Sequence, residues 1–142
     1  MKITKTAMEH IKFHTKNCIS ETGGIMGSYD GEVISEIIMD TSDEQSPRCY
    51  YAPNVDFFNK CIDDWQCQGK HFMGIFHTHF YNIKTLSAAD TRYITAILLS
   101  MPEEICELFF PVFVFPDRKL VCYRAYRENN SVKIKDDILE II

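Results

Sequence analysis

Gly74-Ile75-Phe76-His77-Thr78-His79, followed after seven residues by Ser87-Ala88-Ala89-Asp90, decides how this chain folds. The apolar run over residues 72–76 reads as a short buried strand. Side chains in a strand alternate faces, so His77 and His79, two apart, project the same way with their imidazoles close enough to share a cation. Ser87-x-x-Asp90 has the spacing of a capping box and opens a helix over residues 87–101 that Pro102 stops. A helix starting there puts Asp90 in its first turn, within reach of the histidine pair. Two imidazoles and one carboxylate, with a fourth position left for water, form the ligand set of a catalytic zinc site. His77, His79 and Asp90 are therefore the candidate ligands, and one Zn2+ is the expected cofactor.

Such a site needs a group that moves protons, because hydrolysis must also deliver one to the leaving amine. Glu21 is the candidate. It directly precedes Thr22-Gly23-Gly24-Ile25-Met26-Gly27, where the glycines let backbone approach the site and are expected to hold a strained turn. His10 and His14 form a second histidine pair at helical spacing. No glutamate lies between them in the HExxH order, and they face away from the apolar stripe of their helix, so they read as solvated.

Working outward, Ala7, Met8, Ile11, Thr15 and Cys18 recur at helical spacing and predict an amphipathic helix over residues 5–17. Residues 25–29 and 33–39 flank Asp30-Gly31, a strong signal for a tight hairpin turn between two antiparallel strands. Residues 41–53 are polar and predict a surface loop. Val55, Phe58, Ile62 and Trp65 predict a second helix from Asn54, ending at Gly69. Residues 109–115 and 120–126 read as strands, followed by a short segment at 136–142. The order is that of a mixed α/β (α+β) fold with one curved sheet in a single domain over residues 1–142.

Composition agrees. A chain of 142 residues, 46% hydrophobic and 25% charged, is the size and character of one globular domain. A net charge of -5 without a Lys/Arg cluster argues against nucleic acid as a partner. The N-terminal residues have charge but no apolar core of a secretory signal, and the run over residues 108–115, broken by Pro111, is too short to cross a bilayer. The expected location is the cytoplasm. There the six cysteines are expected to be thiols, packed as small apolar core residues.

Together, Glu21-Thr-Gly-Gly-Ile-Met-Gly and His77-Thr-His79-x7-Ser87-x-x-Asp90 resemble the JAMM (MPN-plus, Mov34/PAD-1) metalloproteases, from the first helix to about residue 126. The compact form is similar to stand-alone prokaryotic members. The resemblance implies a mostly antiparallel sheet flanked by helices in a cytidine deaminase-like three-layer arrangement. It also implies His77, His79 and Asp90 as zinc ligands, Glu21 as general acid/base, and Ser87 as the hydroxyl that steadies the oxyanion. The implied substrate is a ubiquitin-like or sulfur-carrier protein, cut after its C-terminal glycines and lying extended between the strand at residues 23–27 and the loop at 80–86. Phe80 and Leu86 stand where many members have proline, which predicts a more mobile loop or one shaped for another substrate. Two alternatives share the fold: a non-catalytic MPN-type scaffold, and a hydrolase of small amides. The oligomeric state is open.

Overall fold

The computed structural model describes residues 1–41 and 51–142. Most of the stretch expected to be a surface loop, including Cys49, lies outside the described residues. Helix α1, Lys5–Thr15, buries the predicted face, Ala7, Met8, Ile11 and Thr15. The side chain of Thr4 caps it by accepting from the Ala7 N–H at 3.1 Å, which satisfies one of the otherwise unpaired amides of the first turn. Helix α2, Val55–Cys67, is capped by Asn54 and buries Phe58 and Trp65. Val55, in its first turn, is instead 59% exposed. Helix α3, Ala88–Ser100, buries Ile94 and Leu98. At its C-terminal end the Arg127 guanidinium donates to the Leu98 and Met101 carbonyls at 2.6 and 2.8 Å, supplying donors to carbonyls that have no partner within the helix.

The strands are β1 (Lys2–Ile3), β2 (Gly23–Ser28), β3 (Val33–Ile34), β4 (Glu36–Met39), β5 (His71–His79), β6 (Glu107–Phe109), β7 (Val112–Val114), β8 (Lys119–Glu128), β9 (Ser131–Asp137) and β10 (Glu140–Ile141). The predicted antiparallel pair forms between β2 and β4, but its ladder closes at Gly27 and Glu36 rather than at a tight turn on Asp30-Gly31. Its second strand is broken at Ser35, however, and β3 leaves to pair with β1 in a small parallel sheet, β10-β1-β3, that the sequence did not foreshadow. The expected strand at 109–115 is likewise split at Phe110-Pro111 into β6 and β7, since proline cannot donate to a ladder. Both pieces lie parallel to β5 and antiparallel to β8, so the seven-stranded main sheet runs β4-β2-β5-(β6, β7)-β8-β9. Only the ladders to β5 from β6 and β7 are parallel, which makes the sheet mostly antiparallel as expected.

Helices cover both faces of this sheet. Ile3, Met8 and Ile11 pack with Met26, Met73, Phe76 and Phe113 on one side. Phe58, Trp65, Ile94 and Leu98 pack with Ile25, Phe72, Ile75 and Phe110 on the other. Each such side chain taken fully out of water contributes about 1.5–3 kcal/mol before entropy is counted, so the two apolar layers lock α1 to one face and α2 and α3 to the other. The three-layer α/β expectation is met.

β5 does not keep one phase. Gly27 pairs with Phe72 and Met26 with Gly74, leaving Met73 as an extra residue in a β-bulge. Gly74 adopts φ +134°, and a Cβ there would stand 1.8 Å from the Phe109 carbonyl oxygen, so only glycine fits. Before the bulge Phe72 faces α2 and α3 while Met73 faces α1; after it Ile75 faces α2 and α3 while Phe76 faces α1. The histidines at 77 and 79 follow Ile75.

The glycines of β2 hold no turn. Gly23, Gly24 and Gly27 lie inside a fully buried strand, where a Cβ would strike the Tyr51 ring, the Ile38 carbonyl and the Trp65 indole respectively. Their role is to admit close packing. The cysteines depart from expectation too: of the five described, all free, only Cys122 is buried, and Cys67 and Cys106 are exposed.

Candidate metal centre

Strand β5 is longer than predicted and carries both histidines at its buried end, with His77 0% and His79 5% exposed. Thr78, between them, points to the opposite side. There its Oγ1 accepts from the Thr22 N–H at 2.9 Å, and its own N–H donates to the Thr22 carbonyl at 2.8 Å. These bonds fasten the segment before β2 alongside the histidines.

Across from them, α3 begins with the predicted capping box. Ser87 Oγ accepts from the Asp90 N–H at 3.0 Å, and Asp90 Oδ2 accepts from the Ser87 N–H at 2.7 Å. The box fixes the Asp90 rotamer so that its carboxylate faces the strand. Asp90 Oδ1 stands 3.4 Å from His77 Nε2, Asp90 Oδ2 stands 3.4 Å from His79 Nε2, and the two Nε2 atoms are 2.9 Å apart. Ligands 2.0–2.1 Å from a tetrahedral zinc stand about 3.3 Å from one another, so these three fit a small cation between them. Among the described residues this is the one group of three or more His, Cys, Asp or Glu side chains close enough to hold a metal. His10 and His14 sit with ring centroids 4.5 Å apart on the exposed face of α1, as expected of a solvated pair.

The outer nitrogens are held as well. His79 Nδ1 is 3.0 Å from the Ile83 carbonyl. A carbonyl only accepts, so Nδ1 carries the hydrogen and the neutral ring turns the Nε2 lone pair toward the cluster. His77 Nδ1 is 3.0 Å from the Tyr93 hydroxyl. The Tyr51 ring stacks on His77 at 5.8 Å and 13°, while its hydroxyl donates to Asp40 Oδ2 at 2.7 Å. Gly23 makes this possible, since a Cβ there would reach within 2.6 Å of the Tyr51 ring. Neither tyrosine was singled out from the sequence. Tyr93 carried a readable signal, lying three residues beyond Asp90 on one helix face; Tyr51 carried none.

Burial lowers the His77 pKa, keeping the ring neutral and able to bind a cation. Burial opposes the charged form of His79 too, but Asp90, the Ile83 carbonyl and Glu21 outweigh it and raise that pKa. Burial likewise opposes ionised Asp90, yet the His77 and His79 rings beside it and Ser87 hold the carboxyl well below the usual carboxylate range. The pocket therefore presents an ionised acid and two rings that fold toward it.

Glu21 is half-buried just before β2. Gly23 pairs with His77, so continuing that antiparallel register sets Glu21 opposite His79, on the same face of the sheet. Burial raises its pKa, with Asp90 adding to the rise and His79 and the Tyr51 N–H opposing it. Ser87 is exposed at the mouth, and its oxygen accepts from the Asp90 N–H.

The loop at residues 80–86 is fastened without prolines. The Asn82 N–H donates to the Phe115 carbonyl at 2.8 Å, Asn82 Oδ1 accepts from the Asp117 N–H at 3.3 Å, and the Tyr123 hydroxyl donates to the Lys84 carbonyl. Phe80 packs into the α1-side core, stacked on Phe115, and Leu86 into the core under α2 and α3. Apolar anchoring at these two positions replaces the ring constraint. No substrate can add to β2 as a further strand, because that strand is paired on both edges, with β4 and β5. Thr22, bonded to Thr78, and Ile83, bonded to His79, flank the histidines.

Neither a scan of protein-family models nor a search of curated proteins finds a match for the chain. Solved structures do match. A Desulfitobacterium hafniense protein determined in solution superposes with a TM-score of 0.66 at 21% identity, over 99% of this chain and 93% of that one. A JAB1/MPN domain protein from Archaeoglobus fulgidus superposes with a TM-score of 0.58 at 15% identity, over 100% of this chain and 97% of that one. At these identities the likeness is one of fold, and the fold is MPN-like.

Proposed function

We propose that this chain is a zinc-dependent hydrolase of amide bonds, a JAMM-type isopeptidase. The observation that carries the reading is the convergence of His77 Nε2, His79 Nε2 and an Asp90 carboxylate at 2.9–3.4 Å on an MPN-like fold. Two imine lone pairs and a carboxylate brought so close repel one another unless a cation or proton lies between them. When bound, zinc supplies Lewis acidity that polarises a carbonyl and brings the pKa of water to about 7.

The chain's own groups supply the remainder. The Glu21 carboxylate, its pKa raised by burial, takes a proton from the attacking water and returns it to the departing amine nitrogen. The Ser87 hydroxyl donates to the oxygen on which negative charge develops. The likeness of its motifs to those of the JAMM metalloproteases supports a ubiquitin-like or sulfur-carrier protein, cut after its C-terminal glycines, as substrate. Free thiols at five described cysteines suit a reducing compartment such as the cytoplasm.

Metal content decides between this reading and a scaffold. Elemental analysis of the purified protein is expected to find about one zinc per chain, and none in the His77→Ala/His79→Ala double variant. Zinc in neither protein, both folded and never exposed to chelator, would favour the scaffold. With zinc established, release of ubiquitin-like moieties from C-terminal fusions tests the substrate; cleavage of small amides alone would move the reading to a small-molecule hydrolase.

A further inference from the structure

We propose that Tyr93 is the positioning residue that sets His77 as a metal ligand, its phenol oxygen accepting the Nδ1–H so that the Nε2 lone pair faces the cluster. The inference rests on the metal-site reading. His77 is 0% exposed, so no water reaches its outer nitrogen, and among the described residues the Tyr93 hydroxyl at 3.0 Å is the hydrogen-bond partner of that nitrogen. Tyr51, stacked on the same ring, fixes its plane but spends its hydroxyl on Asp40. The Tyr93 ring meets His77 edge-on at 75° and packs against Phe110, which holds the phenol in place.

Tyr93 lies one helical turn beyond Asp90 on α3. One face of one helix thus carries both a direct ligand and the partner that orients another, and the two cannot move independently. His79 is set differently. Its outer partner is the Ile83 carbonyl, which no side-chain substitution removes and which can only accept. A phenol can accept or donate, so in the absence of other constraints it would tolerate either tautomer of His77; accepting Nδ1–H is the arrangement that frees Nε2 for a cation. The choice of a phenol also has an electrostatic reason. Asp90 and Glu21 already place two carboxylates around the cluster, and a phenol is an acceptor that adds no charge of its own. A carboxylate in its place would add a third negative charge.

Zinc affinity measured by competition with a chromogenic chelator tests the role. Tyr93→Phe keeps the ring and removes the acceptor, and is expected to weaken zinc binding about 10- to 100-fold; affinity within about twofold of wild type overturns the proposal. A spectroscopic readout separates orientation from general stability. Nitrogen-15 spectra of the zinc-loaded wild type are expected to show His77 protonated at Nδ1, with that proton protected from solvent exchange, and the protection is expected to be lost in Tyr93→Phe. Zinc on Nδ1 of His77, or an unprotected Nδ1 proton in the wild type, overturns it, and this wild-type measurement decides even if the variant fails to fold. Zinc lost on His77→Ala but unchanged on Tyr93→Phe removes this inference alone, whereas a wild type that binds no zinc removes it together with the metal site.

Discussion

The two halves of β5 follow the same alternation in opposite phase. In the first half Phe72 turns to α2 and α3 and Met73 to α1. Beyond Gly74 the odd-numbered residues change sides, so Ile75, His77 and His79 share the α2 and α3 face. In an unbulged strand the histidines would stay in phase with Met73 and point beneath α1, away from Asp90. A pair two residues apart thus guarantees that the imidazoles face together, but one extra residue upstream determines what they face.

Breaking the bulge is expected to have the largest effect. Gly74→Ala would drive a Cβ to 1.8 Å from the Phe109 carbonyl at a φ of +134°. A loss of more than about 4 kcal/mol is expected, seen as the absence of a cooperative thermal transition. A variant that melts near wild type and still binds zinc would show that the bulge does not decide the facing.

Within the site half, Glu21→Gln is expected to lower the rate of amide hydrolysis by about 10²–10⁴ while zinc content stays the same. Its pH signature follows from the raised pKa. With a folded-state pKa above the ordinary 4.5, the stability contributed by Glu21 is complete below that value and lost as pH rises through the folded one. Metal-free Glu21→Gln protein is therefore expected to melt at or above the wild-type temperature at pH 7, the difference closing near pH 4. A clearly lower melting temperature at pH 7 would mean that the carboxylate is not held against its charge.

Asp90→Asn keeps the volume and much of the cap but removes the charge. Zinc affinity, again by chelator competition, is expected to fall more than about tenfold, with a stability cost of about 1 kcal/mol or less in metal-free protein. The smallest effect is expected in the other half of the strand. His71, exposed at its start, replaced by alanine should change stability by no more than about 0.5 kcal/mol by denaturant titration and leave zinc content unchanged; zinc lost here would show that the two halves are coupled.

Much of this was legible in the chain. The stripe Ala7, Met8, Ile11 and Thr15 predicted α1, Asp30-Gly31 the antiparallel pair, and Ser87-x-x-Asp90 both the cap and the aim of the carboxylate, because each is a pattern within one or two turns of backbone. The misses share a cause. Gly23, Gly24 and Gly27 were expected to hold a turn, yet they make room for Tyr51, the backbone of β4 and Trp65, neighbours distant in sequence. The breaks at Ser35 and at Phe110-Pro111 redirect strands, and the small parallel sheet joins segments from both ends of the chain.

By itself, then, the sequence determined the side-chain types of the cluster, the common face of the two histidines and the helix cap beside them, since strand parity and first-turn capping are local properties of the backbone. Only the tertiary structure decided that the histidines meet Asp90 rather than α1, that Tyr93 and the Ile83 carbonyl hold their outer nitrogens, and that β2 is closed to a substrate strand. Each of these depends on which distant segments pair and where a register slips, and those choices are made by the packing of two apolar layers against a sheet, not by any short stretch of residues.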